Sequence, residues 1–194
     1  VAHRRTHRDA AHRLHTTGHD HVLLATSSGM SIRFDENDAR VMGRNAAGVK
    51  GIELEEGDKV VGLIRVDDQA DLLTVTANGY GKRTTLSEYL VKSEDGTTRP
   101  QSRGGKGRID IKTTDRNGQV VAVRCLKETD SVMFITAGGL LTRVPARSIS
   151  QIGRNTQGVR LVKLNEGDRV IAAARIADGS SEEAGETPAP APAE

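Results

Sequence analysis

Short runs of apolar, largely β-branched residues alternate with glycine-bearing polar turns along most of the chain. Three of these runs open stretches that align with one another: Val22-Leu23-Leu24-Ala25-Thr26, Leu72-Leu73-Thr74-Val75-Thr76 and Val132-Met133-Phe134-Ile135-Thr136. They lead into Ser28-Gly29, Asn78-Gly79 and Gly138-Gly139. Such dipeptides supply the positive φ of a tight hairpin, so the chain should turn straight back into a second strand ending near Arg33, Arg83 or Arg143. After a loop, a third strand is expected over Gly48 to Leu54, Gly107 to Lys112 and Gly158 to Leu164. A turn at Gly57, Gly118 or Gly167 then leads into a fourth, apolar strand.

The three units are 22–66, 72–126 and 132–176. Units one and three superimpose without a gap at an offset of 110, which matches Gly43-Arg44-Asn45 with Gly153-Arg154-Asn155 and Glu56-Gly57-Asp58 with Glu166-Gly167-Asp168. The middle unit shares Gly79, Arg83, Gly107 and Gly118 but carries extra residues over 93–100. Four strands in a repeat of roughly 40–50 residues is the sequence form of a propeller-type blade, whose apolar faces are buried only by stacking on neighbours. The expected fold is therefore all-β and propeller-like, a partial ring of about three four-stranded blades over 22–70, 71–130 and 131–177. Three blades do not close a ring. Uncovered terminal edges lead us to expect marginal stability or aggregation of the chain by itself.

Two stretches fall outside this pattern. Residues 1–21 hold all six histidines and few large apolar residues, and read as a non-blade, disordered leader. His3/His7 and His15/His19 sit four apart, but no cysteine or carboxylate pattern accompanies them, so no metal site is assigned. Residues 178–194, rich in Pro and Ala, read as a disordered acidic tail.

Composition sharpens this picture. Aromatics are 2% and tryptophan is absent, so the core must come from Val, Ile, Leu and Ala in thin layers. The single cysteine, Cys125, lies in an apolar run and reads as a buried strand thiol. No apolar stretch reaches 18 residues and no secretion leader is recognisable, which points to the cytoplasm and no membrane partner. The formal charge of +2 conceals a segregation: without the tail, 28 basic residues face 21 acidic ones. A basic body suits a polyanionic partner.

The candidate chemistry lies at Gln101-Ser102-Arg103-Gly104-Gly105-Lys106-Gly107-Arg108. Its glycines would let backbone N–H groups approach phosphates, and Arg103 and Lys106 supply charge. The spacing is not that of a nucleotide P-loop, and an ordinary glycine-rich connection remains open as a reading. Cations also recur in register. Arg33, Lys82-Arg83 and Arg143 follow the first hairpins, while Arg44 with Lys50, Arg103 with Lys106 and Arg108, and Arg154 with Arg160 flank the start of the third strands. Repetition of this kind suggests one basic edge under a bent phosphate backbone.

Residues 101–107 resemble the Q-R-R-G-G-K/R-G box of the DNA gyrase A family, with Ser102 in place of the first arginine. Asn78-Gly79-Tyr80-Gly81-Lys82-Arg83-Thr84, Gly153-Arg154-Asn155-Thr156-Gln157-Gly158-Val159 and Glu56-Gly57-Asp58-Lys59-Val60-Val61 are also similar to that family. The resemblance covers Val22 to about Ile176. It implies a β-pinwheel, a propeller-like ring with strands exchanged between adjacent blades, whose basic rim wraps duplex DNA. The family's principal box lies in its first blade, whereas this one lies in a later blade.

By the same resemblance, the parent would be an ATP-dependent type II topoisomerase that introduces negative supercoils, with gyrase B and a second copy of gyrase A as partners. ATP and Mg2+ would act elsewhere, and no cofactor or catalytic residue is expected in this chain. Tyr80 follows Gly79 and Tyr89 follows Glu88, so neither matches the family's nucleophilic tyrosine, which follows an arginine; both read as blade-surface residues. Two alternatives stay open: the related C-terminal domain of topoisomerase IV, and a propeller-type protein-interaction module that binds no DNA.

Overall fold

In the computed structural model, which describes residues 14–43 and 45–177, each apolar opening is a strand, and each glycine dipeptide turns it into a hairpin. The first repeat gives β1 (His21–Thr26), β2 (Met30–Asp35) and β3 (Val60–Arg65). The second gives β4 (Asp71–Thr76), β5 (Tyr80–Thr85), the short pair β6 (Val91–Lys92) and β7 (Thr98–Arg99) in its extra loop, then β8 (Arg108–Ile109) and β9 (Val120–Leu126). The third gives β10 (Ser131–Thr136), β11 (Leu141–Pro145), β12 (Val159–Arg160) and β13 (Val170–Ile176). A 3-10 turn follows the second strand of every repeat, at Glu36–Asp38, Leu86–Tyr89 and Ala146–Ser148. Gly29, Gly79 and Gly139 all hold positive φ, as their hairpins demand.

The sheets do not coincide with the sequence repeats. Their orders are β3-β1-β2-β8, β9-β4-β5-β12 and β13-β10-β11. The third segment of each later repeat therefore completes the sheet of the repeat before it, with Ser31 opposite Arg108 and Gly81 opposite Val159. Strand exchange between neighbours is the pinwheel arrangement. Among the described residues, segment 48–54 forms no strand, and the third sheet has three strands rather than four.

The core sits between blades. Leu73, Val75, Val132 and Phe134 share one cluster across blades two and three, and Leu23, Leu72, Leu86 and Val123 share another across blades one and two. Burial of each blade's apolar face thus depends on its neighbour, as stacking predicts.

The leader departs from expectation over its last residues. The Gly18 and Asp20 N–H groups donate to the Glu36 carboxylate at 2.8 and 2.7 Å, and His21 begins β1, so this part is tied into the first blade. Residues 1–13, with His3 and His7, and the acidic tail at 178–194 lie outside the described residues.

The Glu-Gly-Asp turns lock hairpin tips. Burial alone would raise the Asp58 carboxyl, but it accepts from the Ser28 hydroxyl at 2.6 Å, the Ser27 hydroxyl at 2.7 Å and the Ser28 N–H at 2.9 Å. These bonds prevail and hold it at about 2. Asp168, its equivalent, is lowered in the same direction by the Thr136 hydroxyl and the Gly138 N–H. Because the folded value lies below the unfolded one, the stabilisation is complete above the ordinary aspartate range and is lost as pH falls towards 2. Allowing for partial exposure, urea titrations should lose about 1 kcal/mol through Asp58 between pH 5 and pH 2. Asp58→Asn should remove that part of the acid sensitivity.

Candidate nucleic-acid interface

Sheet order decides which residues can meet a large polyanion. The fourth strands β3 and β13 each pack against β9, so the three line the inside of the arc. At the opposite edge of each completed sheet lies the exchanged strand, β8 or β12, and these form the perimeter. Lys50, Lys106, Lys112, Arg160 and Lys163 all lie on the third segments or directly beside them, and all are exposed.

Three expected contact residues are instead buried. Arg33 is 2% exposed: its guanidinium meets Asp68 at 2.9 Å, the Leu86 carbonyl at 2.9 Å and His21 Nδ1 at 3.1 Å. Arg83 does the same one repeat later, donating to the Ile149 carbonyl at 2.9 Å, with Glu128 after β9 at 3.7 Å and Asp71 at the start of β4 at 3.1 Å. Each arginine therefore clamps the segment after its own blade's last strand to the 3-10 region of the next blade. Lys82 is fully buried, where repeat one places Ile32, and its ammonium lies 3.3 Å from Asp110. Desolvation lowers the Lys82 pKa, an effect that Asp110 opposes. None of the three is available to phosphate.

The glycine-rich loop also faces inward. Its Gln101 N–H donates to the Arg33 carbonyl at 2.9 Å, the Arg103 N–H to Asp38 at 3.2 Å and the Gly104 N–H to the Gly51 carbonyl at 2.6 Å. Among the described residues the Gln101 side-chain oxygen is buried without a partner. Gly105 accepts from the Glu53 N–H, and Gly107 has positive φ and packs tightly on Ser31. The Arg103 guanidinium donates to the carbonyls of Asp38 at 2.7 Å and Lys50 at 3.0 Å. Arg154, its register equivalent, donates to the Ile109 carbonyl at 3.2 Å. Arg108 donates to the Leu90 carbonyl at 2.7 Å. The recurrence of cations in register is thus explained in large part by recurring joints between repeats.

The remaining expected residues have free heads or lie elsewhere. Lys50 and Lys106 are exposed and make no ion pair among the described residues. Arg143 is exposed, unlike its equivalents Arg33 and Arg83, and Arg44 lies outside the described residues. Exposed Arg160 donates to the Tyr80 hydroxyl at 3.1 Å and lies 5.6 Å from its ring, while Arg116 lies 4.9 Å from the same ring. These arginines hold the Tyr80 phenol below its ordinary value, mainly through the Arg160 hydrogen bond.

Sequence reasoning missed Lys112 and Lys163, which an alignment of the second and third units on Gly107 and Gly158 pairs at the end of their third segments. It also missed Arg116, for which no repeat signal exists. Tyr80 and Tyr89 are buried, at 7% and 1% exposure, rather than on the blade surface. Among the described residues no cluster of three metal-ligating side chains occurs, and no helix is long and apolar enough to cross a membrane.

A family model described as the DNA gyrase C-terminal domain, beta-propeller, matches residues 20–67, 70–96, 99–127 and 130–177. DNA gyrase A of Escherichia coli (strain K12) is 45% identical over 168 residues, which is 87% of this chain and 18% of that protein. DNA gyrase A of Haloquadratum walsbyi is 45% identical over 157 residues, covering 80% of this chain and 17% of that one. The chain thus spans less than a fifth of the length of these curated relatives. A solved gyrase A C-terminal domain superposes with a TM-score of 0.72 at 25% identity, over 82% of this chain and 52% of that domain. The C-terminal domain of DNA topoisomerase IV shares the fold, with a TM-score of 0.73 at 22% identity over 83% of this chain and 48% of that one. Exchanged four-stranded sheets, the matched repeats and these relatives agree: the chain belongs to the DNA gyrase C-terminal domain family of beta-propellers.

Proposed function

We propose that this chain binds duplex DNA along the perimeter formed by its exchanged strands, as part of a gyrase A protein. The observation that carries this reading is the set of exposed cations on or beside the outermost segments, Lys50, Lys106, Lys112, Arg160 and Lys163. A second observation selects duplex over single strands. All four aromatic residues, Phe34, Phe134, Tyr80 and Tyr89, are buried, so no platform for stacking bases is offered. Contacts to phosphate alone give sequence-tolerant binding and favour a bent backbone over a curved edge.

In the parent protein the domain would bend and position DNA for an ATP-dependent type II topoisomerase that introduces negative supercoils. Gyrase B and a second gyrase A would be its partners, with ATP and Mg2+ acting outside this chain. Bond chemistry is not assigned here, since Tyr89 is enclosed and Tyr80 is bound to arginine.

Fluorescence anisotropy with a labelled duplex across a salt series tests the reading. The log–log slope should be steep and should shrink by about 0.9 for every phosphate contact removed. Lys50→Gln, Lys106→Gln and Lys163→Gln together should weaken binding at low salt without shifting the melt, because all three side chains are exposed. Absent or salt-insensitive binding would instead favour a protein-interaction module.

A further inference from the structure

The two joints between consecutive repeats differ where they reach the perimeter. At the first joint β2 meets β8 with Met30 opposite Ile109. At the second β5 meets β12 with Tyr80 opposite Arg160. Arg160 Nη2 donates to the Tyr80 hydroxyl at 3.1 Å, and its guanidinium lies 5.6 Å from the ring centre. The Arg116 guanidinium lies 4.9 Å from the same centre. The ring is 7% exposed, whereas both arginines are exposed. Two cations thus stand at the surface against one enclosed ring.

Arg116 is brought there by a turn that only the second unit has. In units one and three the Gly57 and Gly167 turns place a carboxylate at the tip of the first hairpin: Asp58 accepts from the Ser28 N–H at 2.9 Å and Asp168 from the Gly138 N–H at 2.8 Å. In unit two the Asn78 N–H donates to the Asn117 carbonyl at 3.1 Å instead, so no carboxylate takes this position. The Asn117 side chain, fully buried, accepts from the Thr114 N–H at 2.7 Å and donates to the carbonyls of Lys112 and Gln157 at 2.8 and 3.0 Å. Asn78 Nδ2 donates to the carbonyls of Asp115 and Arg116 at 3.0 and 3.2 Å. The turn is pinned from both sides, and Arg116 projects from a fixed backbone. Among the described residues neither Arg116 nor Arg160 forms an ion pair, although exposed Asp115 adjoins Arg116 in sequence.

Like charges held against one ring repel, and stacking on Tyr80 needs only one of them. An anion shared by the two removes the repulsion. Guanidinium forks match the paired oxygens of a phosphate, and β12 sets the pair on the perimeter. We infer that Arg116 and Arg160 together hold one phosphate of the duplex backbone where it crosses the second joint, with Tyr80 as the positioning residue beneath them. The inference rests on the proposed DNA binding and adds a fixed point to it. The first joint has no counterpart, since Met30 and Ile109 stand in the places of Tyr80 and Arg160.

Anisotropy over a salt series with the Arg116→Gln/Arg160→Gln double variant tests the shared site. The log–log slope should fall by about 0.9, the value for one phosphate, and not by about 1.8, the value for two. With the two lines meeting near about 1 M salt, this loss is about eightfold weaker binding at about 0.1 M. The thermal melt should stay in place, because both side chains are exposed. A second readout comes from Tyr80 itself, one of two tyrosines in the chain. In protein labelled with carbon-13 at the hydroxyl-bearing ring carbon, Tyr80→Phe assigns the two resonances. Duplex should shift the Tyr80 resonance and leave that of enclosed Tyr89 unmoved. Arg160 and Arg116 hold the phenol below its ordinary value, so a phosphate drawing on the same N–H groups should raise its titration. An unchanged slope, a loss of about 1.8 or an unmoved Tyr80 resonance, each alongside salt-dependent binding of the unsubstituted chain, would overturn the shared site and leave the DNA reading standing. No duplex binding by the unsubstituted chain would remove both.

Discussion

Asp110→Ala is expected to lower the unfolding free energy by about 3–5 kcal/mol, the usual cost of removing one partner from a buried ion pair. Asp110 is 1% exposed and gathers three groups: the Thr74 hydroxyl at 2.6 Å, the Tyr89 hydroxyl at 2.7 Å and the Lys82 ammonium at 3.3 Å. Without it the ammonium keeps, among the described residues, the Thr84 hydroxyl and the Gly153 carbonyl as hydrogen-bond partners, both at 2.9 Å, and its buried charge loses the carboxylate it is paired with. Two hydroxyls lose their acceptor as well. Burial, reinforced by the Asp110 charge, already pushes the Tyr89 phenol well above its ordinary value, so it remains a neutral donor at any physiological pH.

Removing both charges should cost less than removing one. Lys82→Met with Asp110→Leu leaves no orphan ion, and repeat one places Ile32 at the Lys82 position without difficulty. Urea denaturation of the two single variants and the double variant measures this coupling. A double variant as unstable as the sum of the singles would show that the pair acts through packing rather than charge.

Gly107→Ala should destabilise by about 2–5 kcal/mol, whereas Gly48→Ala should cost only about 1–2 kcal/mol. Both glycines have positive φ, 75° and 79°, which an L-residue adopts at about 1–2 kcal/mol. Only at Gly107 would the added methyl meet backbone, with the Ser31 oxygen at 2.3 Å and its carbon at 2.8 Å. Relief requires β8 to move off β2, which adds the roughly 1–3 kcal/mol of an overpacked contact. Thermal melts of the two variants measure this difference. Equal losses at the two positions would place the whole effect in backbone conformation.

Much of the strand plan was legible because its signals are local. An apolar β-branched run followed by Asn78-Gly79 specifies a hairpin wherever it occurs, and the paired Glu-Gly-Asp turns mark the return to the fourth strand. The third segments were legible as extended from their own pattern, but their passage to a neighbouring sheet was implied only by the family resemblance, because the residues that pair with them lie about 80 positions away, as Val159 does from Gly81. The candidate site was legible only in part. Lys50, Lys106, Arg143 and Arg160 are exposed as expected, while Arg33, Lys82 and Arg83 are enclosed.

By itself, then, the amino-acid order determined the repeat, its strands and turns, its family and a basic body. Tertiary structure alone decided which cations face water and which are enclosed between repeats. An arginine has the same formula whether it holds a carbonyl of the next blade or stands in solvent, and its recurrence in register follows from either role. What separates the two is whether another repeat lies over it, a contact formed only when the blades stack.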